Sequence, residues 1–228
     1  MKEYYKAYED RYKIYHEKTG DAWAGERPTF ELKDLLDEFG ATEKSQILEI
    51  GCGEGQNALF LQENGFDVFA SDVSQEAVNW CKDKAKTRNL SPEKFFVLDI
   101  LDNNLQDKFD FIISVSTLHM LVLDSDRKAF FDFVYSHLNE DGFAIITSMG
   151  DGKNEKNDSD ISKAFDLIIR NNGSGDYLLP TTSCRIVNWK TLFKEIENSS
   201  LALEKHYLST TISGFNSSLV VVLKKANK

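Results

Sequence analysis

The sequence predicts an α/β sandwich, a mostly parallel sheet between helices, closed by an antiparallel hairpin. Three observations lead there. Between Gln46 and Ser148 short apolar runs alternate with helical segments of about 10–15 residues, the pattern of repeated strand–helix–strand units. At the first strand-to-helix junction the chain reads Gly51-Cys52-Gly53-Glu54-Gly55, a turn whose backbone can approach a ligand closely. After residue 200 two apolar runs flank Ser213-Gly214-Phe215-Asn216, which reads as a hairpin. Crossovers in the parallel part are expected to be right-handed.

The elements follow in order. Tyr5, Tyr8, Tyr12 and Tyr15 share one face of an N-terminal helix by their 3-4-3 spacing. A second helix is expected from Thr29, as N-cap, to Phe39, stopped by Gly40. Ile47 to Ile50 is a buried strand, and a helix covers about Gln56 to Asn64, closed by Gly65. Phe66 to Ser71 is the second strand, and Ser74 caps a helix reaching about Asn89. Phe95–Leu98 and Phe109–Val115 are the third and fourth strands. Asp124 or Ser125 caps a helix to about Leu138, and Asp141-Gly142 turns into a strand over Phe143–Ser148. Beyond it, 150–157 is a polar loop and Ile161–Arg170 has helical apolar spacing. A break over 171–175 and an extended stretch from Pro180 to Val187 come next. Asn188 caps a helix to about Glu197, and Glu204–Ile212 and Ser218–Leu223 form the hairpin.

At 228 residues the chain suits one domain. It divides into a helical cap (1–44), a core (45–149), an insertion (150–187) and a closing helix with hairpin (188–228). No apolar run approaches the ~18 residues of a membrane helix, and the charged, aromatic start lacks the apolar stretch of a secretory signal. Three scattered cysteines fit a reducing cytoplasm rather than a disulfide framework. A net charge of −10 speaks against a nucleic-acid partner and favours a small or cationic substrate. No metal-ligand spacing is visible, and oligomeric state is left open.

The motif carries most of the functional reading. The glycines let the backbone turn, and the helix behind them offers free N–H groups to a carboxylate or phosphate. Asp72 stands 21 residues after Gly51, at the end of the second strand, where an acidic side chain can accept from both ribose hydroxyls. A dinucleotide-binding loop wants glycines at its first, third and sixth places. Here they fall at Gly51, Gly53 and Gly55, with Gln56 at the sixth. Glu49 adds a carboxylate that would repel a pyrophosphate but attract an ammonium or sulfonium.

These residues resemble the class I, Rossmann-like S-adenosylmethionine-dependent methyltransferases over about residues 45–150. The resemblance implies a three-layer sandwich with a seven-stranded, mostly parallel sheet and an antiparallel last strand. It implies adenosylmethionine as cofactor and a methyl group transferred to an O, N or S acceptor. Carried over by position, Glu49, Gly51, Gly53 and Gly55 would meet the methionine end and Asp72 the ribose. Asp99 would meet the adenine amine, with Val73 and Ile100 against the ring. Cys52, a small structural residue of the loop, and Ser114, on the fourth strand, complete the cofactor set. Within the family the chain is most similar to the thiopurine- and tellurite-resistance small-molecule branch. The fourth strand ends Ser114-Val115-Ser116-Thr117, without the Asn/Asp-Pro-Pro-aromatic motif of enzymes acting on base amines or glutamine side chains. A cofactor-binding protein without turnover and a nicotinamide-dependent oxidoreductase are the alternatives.

His119 follows the fourth strand, where the family places substrate-facing residues, and is the candidate general base; a packing histidine is the other reading. Tyr15, Trp23 and Arg27 of the cap and Asp151, Tyr177 and Arg185 of the insertion are candidates for the acceptor pocket. Long insertions at the carboxyl edge of a parallel sheet tend to shape such sites.

Overall fold

The computed structural model describes residues 3–102, 104–158, 160–171, 175–212 and 214–226. Its frame is set by β1 (Gln46–Ile50), whose side chains alternate between two apolar layers. Ile47 joins Val68, Ala70, Phe111, Ile113 and Ile145 on one face, and Leu48 and Ile50 join Ile112, Ala144 and Ile146 on the other. The period of two divides each strand between both faces of the sheet. The first face is covered by α2 (Glu31–Glu38), α3 (Gln56–Glu63) and α4 (Gln75–Thr87), and the second by α5 (Asp124–His137) and α6 (Trp189–Glu197).

The other strands of this sheet are β2 (Asp67–Asp72), β3 (Phe95–Val97), β4 (Phe109–Val115), β5 (Leu138–Met149), β10 (Leu201–Ser209) and β11 (Ser218–Lys225). Their spatial order is β10-β11-β5-β4-β1-β2-β3. β1 pairs in parallel with both β2 and β4, whereas β11 runs antiparallel to β5 and to β10. This is the seven-stranded sheet that the sequence implied. The chain order reverses between β1 and β4, so the loops after β1, β2 and β4 gather at one carboxyl edge, where open parallel sheets bind ligands.

Two helices start as expected. Ser74 Oγ accepts from the Ala77 N–H at 3.1 Å and Asn188 Oδ1 from the Thr191 N–H at 2.9 Å, each satisfying an orphan donor of the first turn. Others do not. Phe30, not Thr29, precedes α2, and the buried Thr29 gives its N–H to Asn57 Oδ1 at 2.9 Å. Asp124 lies inside the first turn of α5 rather than capping it, and pairs with Arg185 at 2.5 Å. β5 runs through Asp141-Gly142 without a turn, absorbed by a register shift opposite Phe109 and Phe111.

The insertion departs most. Ile161–Lys163 is a single 3₁₀ turn, and the stretch expected to be helical continues as β7 (Leu167–Asn171), paired with β8 (Asp176–Pro180). Leu-Ile-Ile at 167–169 favours a strand once alternate residues find an exposed and a packed side. The expected polar loop holds β6 (Lys156–Asp158), antiparallel to β9 (Cys184–Ile186).

The N-terminal helix α1 (Ala7–Thr19) follows a 3₁₀ turn at Tyr4–Lys6 and is fastened at its N-terminal end. Tyr4 donates to Asp126 Oδ2 at 2.7 Å and accepts from the Val122 N–H. Glu9 accepts from Ser74 Oγ at 2.6 Å and from the Glu76 N–H at 3.1 Å, a carboxylate on the positive end of α4. Among the described residues no helix is long and apolar enough to cross a membrane.

Arg127 ties the second face together. It is buried, holds Glu195 of α6 through Nε (2.7 Å) and Nη2 (2.6 Å), and donates Nη1 to the Leu118 and Leu121 carbonyls. Removing one partner of a buried pair leaves the other charge uncompensated. Arg127→Met is therefore expected to lower the urea unfolding free energy by about 3 kcal/mol. Lys128→Ala, at an exposed pair on the same helix, should change it by less than about 0.5 kcal/mol.

Candidate functional site

The glycine loop after β1 begins with Gly51 at φ +67° and Gly53 at φ +53°. A Cβ on Gly51 would run into the Thr117 side chain, and one on Gly53 would lie 3.0 Å from the Tyr12 hydroxyl. Side chains are excluded here because the loops after β1 and β4 and helix α1 converge. Gly55 stands at the N-cap of α3.

Two cavities meet at this loop. The smaller, about 110 Å³, is lined by Asp72, Val73, Asp99 and Ile100, with Tyr5 and Leu101. The larger, about 580 Å³, is lined by Cys52, Gly53, Gln56, Asn57, Trp23 and His119 among others. Gly51, Tyr8, Tyr12, Ser116 and Met120 line both, so the two are compartments of one site under α1. Ser116 holds φ +58°, unusual outside glycine, and its buried Oγ has no partner. Strain of this kind concentrates at ligand clamps.

Asp72 is buried, and burial raises its carboxyl, opposed by two backbone donors. Oδ1 accepts from the Ser74 N–H and Oδ2 from the Gly53 N–H, both at 2.9 Å. Each oxygen keeps a further lone pair. Asp99 accepts from the Leu101 N–H (3.1 Å), Tyr5 OH (3.0 Å) and Lys6 Nζ (2.9 Å). The first tyrosine of the N-terminal stripe thus grips the residue expected at the adenine.

Glu49 lies behind the loop and lines neither cavity. Its Oε1 accepts from Asn57 Nδ2 at 3.1 Å, and its buried Oε2 has no partner. Burial, against the pull of Asn57, pushes its carboxyl up to about 8. Cys52 is buried too; a hydrogen bond with Cys81 and burial raise its thiol well above the usual range, which keeps it protonated and unreactive.

His119, on the 3₁₀ turn Leu118–Met120, reaches the larger compartment. Burial and then the Arg127 charge hold its imidazole down at about 3, so it is neutral at working pH. Its ring meets Phe215 edge-on at 5.2 Å, and Nδ1 has no partner. A proton acceptor this weak does not fit the general-base reading.

Trp23 lines the larger compartment, and Tyr15 packs edge-on against Trp23 (5.2 Å) and Tyr177 (5.1 Å) without lining it. Four expectations move away from the site. Ser114 Oγ donates to the Ile50 carbonyl at 3.2 Å, a tie between β4 and β1; Ser116 and Thr117 line the pocket in its place. Arg27 is exposed on a surface turn. Asp151 closes its own turn by accepting from the Asn154 and Lys153 N–H groups, which pull its carboxyl down to about 2. Arg185 pairs with Asp124 and Glu195 on the α5–α6 side.

Other residues of the site escaped the sequence reading. Glu54, inside the glycine loop, accepts from the Trp23 N–H (2.5 Å), the Ala24 N–H (2.8 Å) and His16 Nε2 (2.8 Å). His16 Nδ1 meets Glu76 at 2.9 Å. Burial pulls the His16 imidazolium down, but the two carboxylates outweigh it and leave it raised. Arg11 had one readable signal, its place three residues after Tyr8 and four before Tyr15 on the tyrosine face. It is buried and lines the larger compartment with Arg170.

Comparison with known proteins is decisive at this point. A family model described as "Methyltransferase domain" matches residues 47–142, the stretch holding the glycine loop, Asp72, Asp99 and β4. Residues 47–142 thus match a methyltransferase domain, set in a Rossmann-like sheet. The domain is 28% identical over 116 residues to "Probable S-adenosyl-L-methionine-dependent methyltransferase TehB" of Haemophilus influenzae (strain 10810), a match spanning 50% of this chain and 40% of that protein. The chain thus spans less than half the length of that relative. Its fold matches the CcbJ methyltransferase of Streptomyces caelestis (TM-score 0.70, 15% identity, covering 98% of this chain and 99% of that one). It also matches the glycopeptide N-methyltransferase MtfA solved with S-adenosyl-L-methionine (TM-score 0.64, 13% identity, 88% and 95%).

The Glu49 carboxyl yields a stability prediction. Its folded value of about 8 lies above the ~4.3 of an unfolded chain. The stability of its protonated form is complete below the unfolded value and is lost as pH rises through about 8. Glu49→Gln keeps the acceptor for Asn57 and removes the titration. The melting temperature of the variant is expected to rise relative to the parent between pH 5 and pH 9; a constant difference would show that Glu49 does not titrate in this range.

Proposed function

We propose that this chain transfers the methyl group of S-adenosylmethionine to an O, N or S atom of a small-molecule acceptor. The observation that carries this reading is the pair of joined compartments. One presents the Asp72, Val73, Asp99 and Ile100 set, and the other holds an enclosed space beside the glycine loop.

The residues present fit the cofactor. Asp72 retains lone pairs for two ribose hydroxyls, Asp99 faces the same compartment, and the loop leaves the room a Cβ would fill. Glu49, with its unpartnered buried oxygen, lies behind the loop, where an arriving ammonium or sulfonium would favour its ionised form and draw off its proton. When bound, the cofactor supplies a methyl carbon on a positive sulfur, which an acceptor lone pair attacks as the carbon–sulfur bond breaks and the acceptor proton leaves.

The chain's work is positioning and exclusion of water. Tyr8 and Tyr12 roof both compartments, with Tyr8 OH directed at Met120 Sδ (2.9 Å). The neutral His119, with a free ring nitrogen, is a positioning group for the nucleophile rather than a base. An acidic chain and an enclosed pocket favour a small acceptor over a nucleic acid. The scattered cysteines Cys52, Cys81 and Cys184 suit a reducing compartment.

Two measurements test this. Calorimetric titration should show S-adenosylhomocysteine binding, weakened about tenfold or more in Asp72→Ala by loss of two charge-assisted hydrogen bonds. Equal affinity would remove Asp72 from the ribose site. With an acceptor in hand, His119→Gln should lower kcat while leaving the pH profile unchanged in shape between pH 6 and 9. A limb that disappears in the variant would restore the general-base role.

A further inference from the structure

The larger compartment carries a charge opposite to that of the chain. The sequence has 37 Asp and Glu against 27 Lys and Arg, yet no carboxylate is among the described residues lining this space, and two arginines are. Arg11 reaches it from α1 and Arg170 from the β7–β8 hairpin. Arg11 Nη2 donates to the Pro180 carbonyl and, at 3.2 Å, to the Thr181 carbonyl; Arg170 Nη2 donates to the same Thr181 oxygen at 3.0 Å.

The two guanidiniums therefore share one acceptor, and among the described residues neither has a carboxylate partner. Arg11 is 5% exposed and packs over the Tyr8 and Trp23 rings, and the Nε of each arginine is buried without a partner. Carbonyl dipoles and ring faces do not cancel a full charge. A buried and a half-buried like charge side by side are costly unless an anion joins them. The planar fork of arginine matches the paired oxygens of a carboxylate or phosphate, and the apolar neighbours Trp23, Val115, Met149 and Phe215 favour a small organic carboxylate. The neighbouring His119 is neutral and does not oppose an anion.

We propose that Arg11 and Arg170 form a carboxylate-binding subsite, and that the methyl acceptor is a small molecule carrying a carboxylate. The inference rests on the reading of this compartment as the acceptor's. The hairpin that carries Arg170 belongs to the insertion between β5 and α6, outside the segment that matches the methyltransferase domain. Neither arginine lines the Asp72–Asp99 compartment. The positive charge thus lies away from the ribose and adenine residues and is supplied in part by a hairpin outside the matched segment. The overall acidity, which alone favours a cationic substrate, is reversed where the acceptor would sit.

Benzoate and benzamide, alike in shape and different in charge, test this when titrated into protein saturated with S-adenosylhomocysteine. Benzoate is expected to bind at least about tenfold more tightly than benzamide. In Arg170→Gln the preference should fall below about threefold, with S-adenosylhomocysteine affinity unchanged; Arg11→Lys, which keeps the charge without the fork, should lose part of it. Equal binding of the two probes, or no saturable benzoate binding, overturns the proposal. So does an Arg170→Gln variant that loses S-adenosylhomocysteine affinity but keeps the benzoate preference, since the arginines would then hold the cofactor's own carboxylate. If S-adenosylhomocysteine does not bind the parent, the methyltransferase reading fails. The benzoate–benzamide comparison on the free protein then judges the arginine pair alone.

Discussion

The structure depends on a single buried carboxylate in the glycine loop. Glu54 receives two backbone N–H groups from the segment after α1 and one imidazole nitrogen from α1 itself. A buried carboxylate must be matched by donors to be tolerated, and these donors come from the cap. Neither partner is satisfied alone: an undocked cap would leave Glu54 facing apolar surface without its donors. The same few residues that open space for a ligand therefore also recruit the roof that closes over it.

Acidic groups do most of the fastening along this roof. Glu9 sits on the N-terminus of α4, Glu54 and Glu76 clasp His16, Asp99 takes Tyr5 and Lys6, and Asp126 takes Tyr4. The negative excess of the chain is partly spent on holding α1 down. No carboxylate is among the described residues lining the larger compartment, and the average charge of the sequence says little about the charge met by a ligand.

Much of the frame was legible because its rules are local. Strand and helix periods, glycine spacing and the acidic residues ending β2 and following β3 are set by neighbours in sequence. The roof was half legible: the tyrosine spacing placed one face of α1, but not what the face met. Glu54, Arg170 and Ser116 were invisible because their meaning comes from partners far away in sequence, and Arg11 showed only its place on the tyrosine face. His119 could be placed but not its protonation, which burial and Arg127 decide. Arg27, Asp151 and Arg185 looked functional as polar residues in loops, yet one is exposed and the others are consumed by a turn and an ion pair. The misread hairpin shows the limit of periodicity, since Ile161 to Arg170 satisfies a helical spacing while its second half holds the short apolar run Leu167-Ile168-Ile169, which suits a strand equally well.

The shared wall between the two compartments has a thermodynamic consequence. Tyr8 and Tyr12 border both spaces, so whatever orders α1 from one side orders it for the other. Occupancy of either compartment then lowers the entropic cost of filling its neighbour, and by linkage the benefit is mutual and equal in size. Cooperativity between two occupants would then run through a single helix, without any movement of the sheet beneath it.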